Sequence, residues 1–256
     1  MIAVFPKEHG AYGQLLFPLI TALAVGRPGA AAFAFAAAAL FAFLAHEPLL
    51  VLMGQRGPRA REDAGPRAIR WFAATGLTAT GLAVFAIATM ASVAQHAVIF
   101  CAALASILLA VIATRRERTT SGEILSACTL ASLALPVALA AHTTHAVAVT
   151  CVLVFAAAFT TATVCVRAVI VHTRRPPASA ARMAGALTAA GAMAILAFSG
   201  AIGFASSVAP WAALPVCTAG VVLVLKPPSA RQLRAVGWTL VATTATAAAI
   251  VIAVFG

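Results

Sequence analysis

Charge is scarce in this chain, and negative charge is the scarcest of all. Six carboxylates occur in 256 residues, and charged side chains together fill 9% of the positions. Soluble domains carry roughly a quarter, so a soluble globular fold is excluded. What replaces charge is a hydrophobic content of 63% and a mean hydropathy of +1.04. No soluble core of this size needs that much apolar surface. A bilayer does, because spanning helices show side chains to lipid as well as to one another. Paired cysteines are missing too. Cys101, Cys128, Cys151, Cys165 and Cys217 stand singly in apolar runs, with no CxxC pair and no Cys/His cluster. A disulfide framework and a thiolate metal knuckle are thereby excluded, leaving small buried apolar residues. The N-terminus has no charged segment ahead of an apolar run and no clear cleavage site, so the first span is expected to act as a retained signal.

What is present is a ladder of apolar segments, each near the ~20 residues that a span needs. They read as 12–26, 29–54, 70–93, 95–113, 123–141, 145–171, 183–203, 207–226 and 235–255. The expected fold is therefore an all-α polytopic membrane protein of about nine transmembrane helices, forming one domain over residues 1–256. Four breaks are short and nearly uncharged: Pro28-Gly29, Gln95-His96, His142 to Thr144, and Ser206-Ser207. The other four are longer and basic: Gln55 to Ile69, Thr114 to Gly122, His172 to Arg182, and Pro227 to Arg234.

The excess of 17 Lys and Arg over six acids gives a net charge of +11. Confined to short loops, these cations do not make a nucleic-acid surface. They follow the rule that cytoplasmic loops collect Lys and Arg. With nine spans, every cation except Arg27 falls on one side. That side is expected to be cytoplasmic, with the N-terminus inside and the C-terminus outside, in a bacterial inner membrane. Merging two spans would scatter the arginines over both faces. Ala and Gly runs such as 30–39 and 242–249 provide small faces for close helix packing in lipid.

Ionisable residues inside spans cost about 2.5–3.5 kcal/mol each on insertion scales, so the few that occur mark candidate sites. His46 and Glu47 lie in the second span ahead of Pro48, about 10 Å below its cytoplasmic end. Pro48 should kink the helix there. Arg167 lies near the cytoplasmic end of the sixth span, where it could face Glu47. Glu123 opens the fifth span, complementing the positive helix N-terminus, with Ser121 as the expected N-cap. Lys7, Glu8, His9 and Gln14, with Gly10 and Gly13 among them, give the N-terminus more polar groups than an anchor needs. Together with Arg56, Arg59 and Arg174 of the basic loops, these residues are expected to line one cytoplasm-facing cavity.

The stretch Phe5-Pro6-Lys7-Glu8-His9-Gly10-Ala11-Tyr12-Gly13 resembles the opening signature of the YwiC-like family of bacterial membrane proteins, P-K-E-H-G-A-[YW]-G. So do His46-Glu47-Pro48-Leu49 through Arg61, and Val166-Arg167-Ala168. This resemblance implies an integral membrane protein and no particular chemistry. More distantly, nine spans with the important loops after spans two and six are similar to the UbiA superfamily of intramembrane prenyltransferases, which implies a UbiA-like bundle. Those enzymes hold Mg²⁺ and an isoprenoid diphosphate on aspartate-rich motifs at the ends of those spans. In this chain Leu50 and Gly54 stand where aspartates would be, Glu62 and Asp63 come too late, and Val166 to Arg175 contains no acid. The sign of the site is reversed. The resemblance thus implies an anionic head group held by Arg56, Arg59, Arg167 and Arg174 through charge-assisted bonds. Ordinary prenyl transfer would lack its Lewis acid.

The function expected from these residues is binding of a lipid-like or isoprenoid anionic ligand in the cavity, with or without a UbiA-like transferase activity. A transporter is the first alternative, though its polar groups should lie near the midplane. A haem- or metal-binding or assembly protein using His9 and His46 is the second, without an i, i+3 or i, i+4 ligand pair to support it.

Overall fold

The computed structural model describes residues 9–175 and 178–256. Every regular element among them is helical: α1 (His9–Ala24), α2 (Ala30–Leu52), α3 (Pro58–Thr89), α4 (Ser92–Ala113), α5 (Thr120–Ser132), α6 (Ala134–Ala140), α7 (His145–Arg174), α8 (Ser179–Ala201), α9 (Ala209–Leu225) and α10 (Leu233–Phe255), with a single 3₁₀ turn at Ala230–Gln232. Seven segments are long and apolar enough to cross a membrane, counting α5 and α6 as one. Two shorter apolar helices, Gly10–Ala24 and Ala209–Leu225, complete the ladder of nine.

The α5–α6 break has a local cause. Pro136 has no N–H, so the Ser132 carbonyl loses its helical donor. The Cys101 thiol of α4 reaches that carbonyl at 3.2 Å, and Leu133 N turns back to Leu130 O at 3.3 Å. Pro48 does no such thing: α2 continues through it to Leu52. The basic stretch 55–69 is not the loop its composition implies. Helix α3 begins at Pro58, twelve residues before the expected span, and runs through Pro66. Proline is at home in a first helical turn, and Ala60, Ala64 and Ala68, one turn apart, are buried, the latter two clustered with Val51 of α2. A tight turn through Gly54 (φ +70°) and Gly57 (φ +94°) joins the two helices.

Helix α7 is the central post, packed by α1, α5, α6, α8, α9 and α10. Half of its apolar window is buried, against 17% for α3 and α4. The exposed faces of α3 and α4 carry Leu77, Val84, Phe85, Ile99 and Phe100, as lipid-facing surfaces should. Several threonines inside the bundle, Thr129 on Leu125 O and Thr150 on Ala146 O among them, fold back on carbonyls one turn earlier, these two near 2.8 Å. That satisfies their hydroxyls without water. Small residues let α7, α8 and α9 interlock: a Cβ on Gly220 would stand 3.0 Å from Cys165 Sγ, and one on Gly185 2.8 Å from Val224 Cγ1.

Contacts between turns sort the two ends. At one end Gln55 Nε2 donates to Ile112 O at 2.8 Å, and Arg182 donates to the carbonyls of Val224 and Leu225. At the other, Arg27 N donates to Ala141 O at 2.7 Å and Ser206 N to Thr150 Oγ1 at 2.8 Å. Among the described cations, Arg27 alone belongs to the second end.

Candidate functional site

Two bidentate ion pairs organise the basic end, and they are not the pairing expected from depth alone. Arg56, in the turn after α2, grips Glu47 with Nε to Oε1 at 2.8 Å and Nη2 to Oε2 at 2.6 Å. Both side chains are largely buried. One residue earlier, His46 Nε2 stands 3.9 Å from Glu117 Oε2, in the turn after α4. Adjacent residues on α2 point about 100° apart around the helix, which is why His46 and Glu47 find different partners.

Arg167 takes Glu123 instead of Glu47. Its Nε donates to Glu123 Oε2 at 2.7 Å, and its Nη2 donates to Glu123 Oε1 and to Arg118 O, each at 2.6 Å. The reason is topological. Helix α5 packs along α7, while α2 lies mainly along α3, so the carboxylate at the start of α5 is the nearer one. Glu123 does fall in the first turn of α5, as expected. The N-cap is Thr119 rather than Ser121: Thr119 Oγ1 accepts from Gly122 N at 3.1 Å. Ser121 is inside the helix, its hydroxyl 3.1 Å from that of Thr119.

Beside this pair lies a cavity of about 640 Å³ between α1, α5, α7 and α10. At its basic end are Glu123, Arg167, Arg174 and Gln14. Phe17, Phe159, Leu240 and Val241 supply apolar wall. Along α7 the lining runs from Phe159 to Arg174, about 22 Å of helix. Residues 159, 163, 166, 167, 170 and 174 recur at helical spacing, so a single stripe of α7 faces the cavity. Arg167 is neutralised by Glu123, whereas no carboxylate among the described residues pairs with Arg174. Gly10 and Gly237 also border the space, and a Cβ on either would meet no atom within 4 Å.

Of the residues singled out from sequence, Gln14, Glu123, Arg167 and Arg174 thus meet at one cavity. His46, Glu47 and Arg56 belong to the neighbouring network at the ends of α2 and α4. Arg59 is exposed in the first turn of α3. Lys7 and Glu8 lie outside the described residues, and His9 opens α1. Among the described residues, no three His, Cys, Asp or Glu side chains form a metal-holding group. Sequence reasoning missed Glu117, although one of only six carboxylates, set among three arginines, was a signal. It also missed the α10 wall, whose apolar stripe carries no mark to distinguish cavity from lipid.

No curated protein and no solved structure matches the chain. The YwiC-like protein family model matches residues 5–139, just over half of the sequence. That region runs from the N-terminal signature through α6 and includes His46, Glu47, Arg56 and Glu123. A multi-helix apolar bundle with that match over that length places the chain: it belongs to the YwiC-like family of membrane proteins.

Proposed function

We propose that this membrane protein binds an anionic amphiphile, a lipid-like or isoprenoid molecule, with its head group at Arg174 and Arg167 and its chain along α7. The observation that carries the reading is the polarity of the 640 Å³ cavity. One end offers two guanidiniums against a single carboxylate, and aromatic and aliphatic side chains continue from there. A soluble metabolite has no use for the apolar length. An uncharged lipid has no use for Arg174, an exposed cation at the mouth of the basic end that offers an anion its charge and donors. A guanidinium remains charged when partly desolvated and offers forked donors to a phosphate or carboxylate. The UbiA-type likeness enters here only as the proposal that the chain portion is isoprenoid.

The basic end faces the cytoplasm in this reading, with the N-terminus inside and the C-terminus outside a bacterial inner membrane, following the positive-inside rule. The ligand then sits with its head group toward the cytoplasm.

The test is mass spectrometry of the protein purified in mild detergent. A bound anionic lipid is expected in the native chain. Gly237 borders the cavity, and a Cβ there meets no atom within 4 Å; Gly237→Phe is expected to fill cavity space and release the ligand, with an unchanged melting temperature as the check that the fold is kept. Arg174→Ala should release it as well. Full retention of a bound lipid by both variants would defeat the assignment of this cavity.

A further inference from the structure

The basic end holds a second, smaller pocket of about 190 Å³, walled by Gln55, Arg115, Glu117 and Arg118. None of these was a candidate from sequence. Two turns meet to form it, 53–57 and 114–119, joined by the Gln55 bond to Ile112 O. Arg118 touches both sites: the residue borders this pocket, and its carbonyl accepts Arg167 Nη2.

Arg115 has φ +58°, in the left-handed region. Arg115 N donates to Ile112 O at 2.9 Å and Arg116 N to Val111 O at 3.0 Å, closing the end of α4. Helices ordinarily put glycine at such a position. An arginine there sacrifices backbone ease, and this exposed residue borders the pocket. His142 takes the same conformation at the other end (φ +61°), so the case for Arg115 rests on its place beside the pocket and its donors.

The donor set defines the ligand. Arg115 and Arg118 supply forked donors, and Gln55 keeps a second amide hydrogen beside the one used on Ile112 O. All of these suit an oxyanion. Glu117 differs, because a carboxylate only accepts. It is held near His46 and its side chain is 19% exposed. An oxyanion without a proton would meet it with repulsion. Hydrogen phosphate, HPO₄²⁻, still carries one P–OH to donate to it. Sulfate carries none, and a phosphomonoester, with a second pKa of about 6, has mostly lost its own by neutral pH. We propose that this pocket is a site for inorganic phosphate, with Arg115, Arg118 and Gln55 donating to its oxygens and its P–OH donating to Glu117.

Isothermal titration of the full chain in detergent micelles, with sodium phosphate, sodium sulfate and glycerol 3-phosphate in turn, tests this. Phosphate should bind saturably, with the other two at least about tenfold weaker, the loss of one charged hydrogen bond. Arg115→Gly should lose phosphate binding by a similar factor. Its melting temperature without phosphate should be equal or higher, because glycine suits φ +58°. Arg118→Ala keeps the carbonyl that holds Arg167 and should also weaken phosphate. Glu117→Gln should abolish the preference for phosphate over sulfate. Equal affinity for phosphate and sulfate in the native chain would overturn the proposal, as would phosphate binding that survives Arg115→Gly. None of these readings depends on what occupies the larger cavity.

Discussion

Removing Arg167 is the perturbation whose size the structure best defines. Arg167→Ala deletes two bonds to the Glu123 carboxylate and one to Arg118 O. The side chains of Arg167 and Glu123 are 34% and 42% exposed, so the pair belongs nearer to the surface class than to the buried one. Exposed pairs contribute about 0.2–1 kcal/mol; bidentate geometry puts this one toward the top of that range. The carbonyl bond adds about 1 kcal/mol. The total loss expected is therefore about 2 kcal/mol. Glu123→Gln keeps one acceptor and should cost less, about 1 kcal/mol. A double-mutant cycle of Arg167→Ala and Glu123→Gln isolates the pair, read by equilibrium unfolding in mixed micelles. A coupling of about 1 kcal/mol that shrinks as salt rises is expected. Coupling above about 3 kcal/mol would refute the reasoning from exposure, since only a buried pair loses that much. Coupling of zero would mean that Arg167 is solvated away from Glu123.

Two further outcomes follow from the packing and from the charge distribution. Gly26→Ala should destabilise the protein by about 1–3 kcal/mol, because its Cβ would overlap Ala141 O and stand 2.8 Å from Thr143 Cγ2, whereas Gly29→Ala meets nothing within 4 Å and should be near neutral; thermal unfolding of the two variants side by side checks this. Ser121→Cys, at an exposed position on the basic end, should resist a membrane-impermeant maleimide in intact cells and react after permeabilisation; labelling from outside would invert the proposed orientation.

The apolar ladder was legible because bilayer thickness sets the length of every span, and because each turn is marked by Gly, Pro or charge. Where the reading slipped, packing had overruled composition. Arg59, Arg61, Arg67 and Arg70 made 55–69 look like a loop, yet the alanines at 60, 64 and 68 had helical spacing all along. A charge run says that one face is wet; it does not say that the backbone is irregular. The span expected at 123–141 holds as one span, Thr120–Ala140, with a local break at Leu133. There the missing N–H of Pro136 interrupts the helix, and a cysteine from another helix takes up the released carbonyl.

The site was half legible, for a different reason. Cost of burial identifies which ionisable residues need partners, and Glu47, Arg167 and Glu123 all have them. Depth along a helix does not choose the partner, because depth is one coordinate and pairing needs the angle around the helix and the identity of the neighbour as well. Glu47 and Arg167 share a level but sit on helices with different neighbours, so each is satisfied locally, by Arg56 and by Glu123. Of the two cations that line the cavity, that local satisfaction leaves Arg174 as the one without a carboxylate among the described residues. The acids near the cavity are few, and Glu123 already serves Arg167. In the proposed reading, this cation at the end of α7, beside apolar wall, is where the anionic head group of the ligand is held.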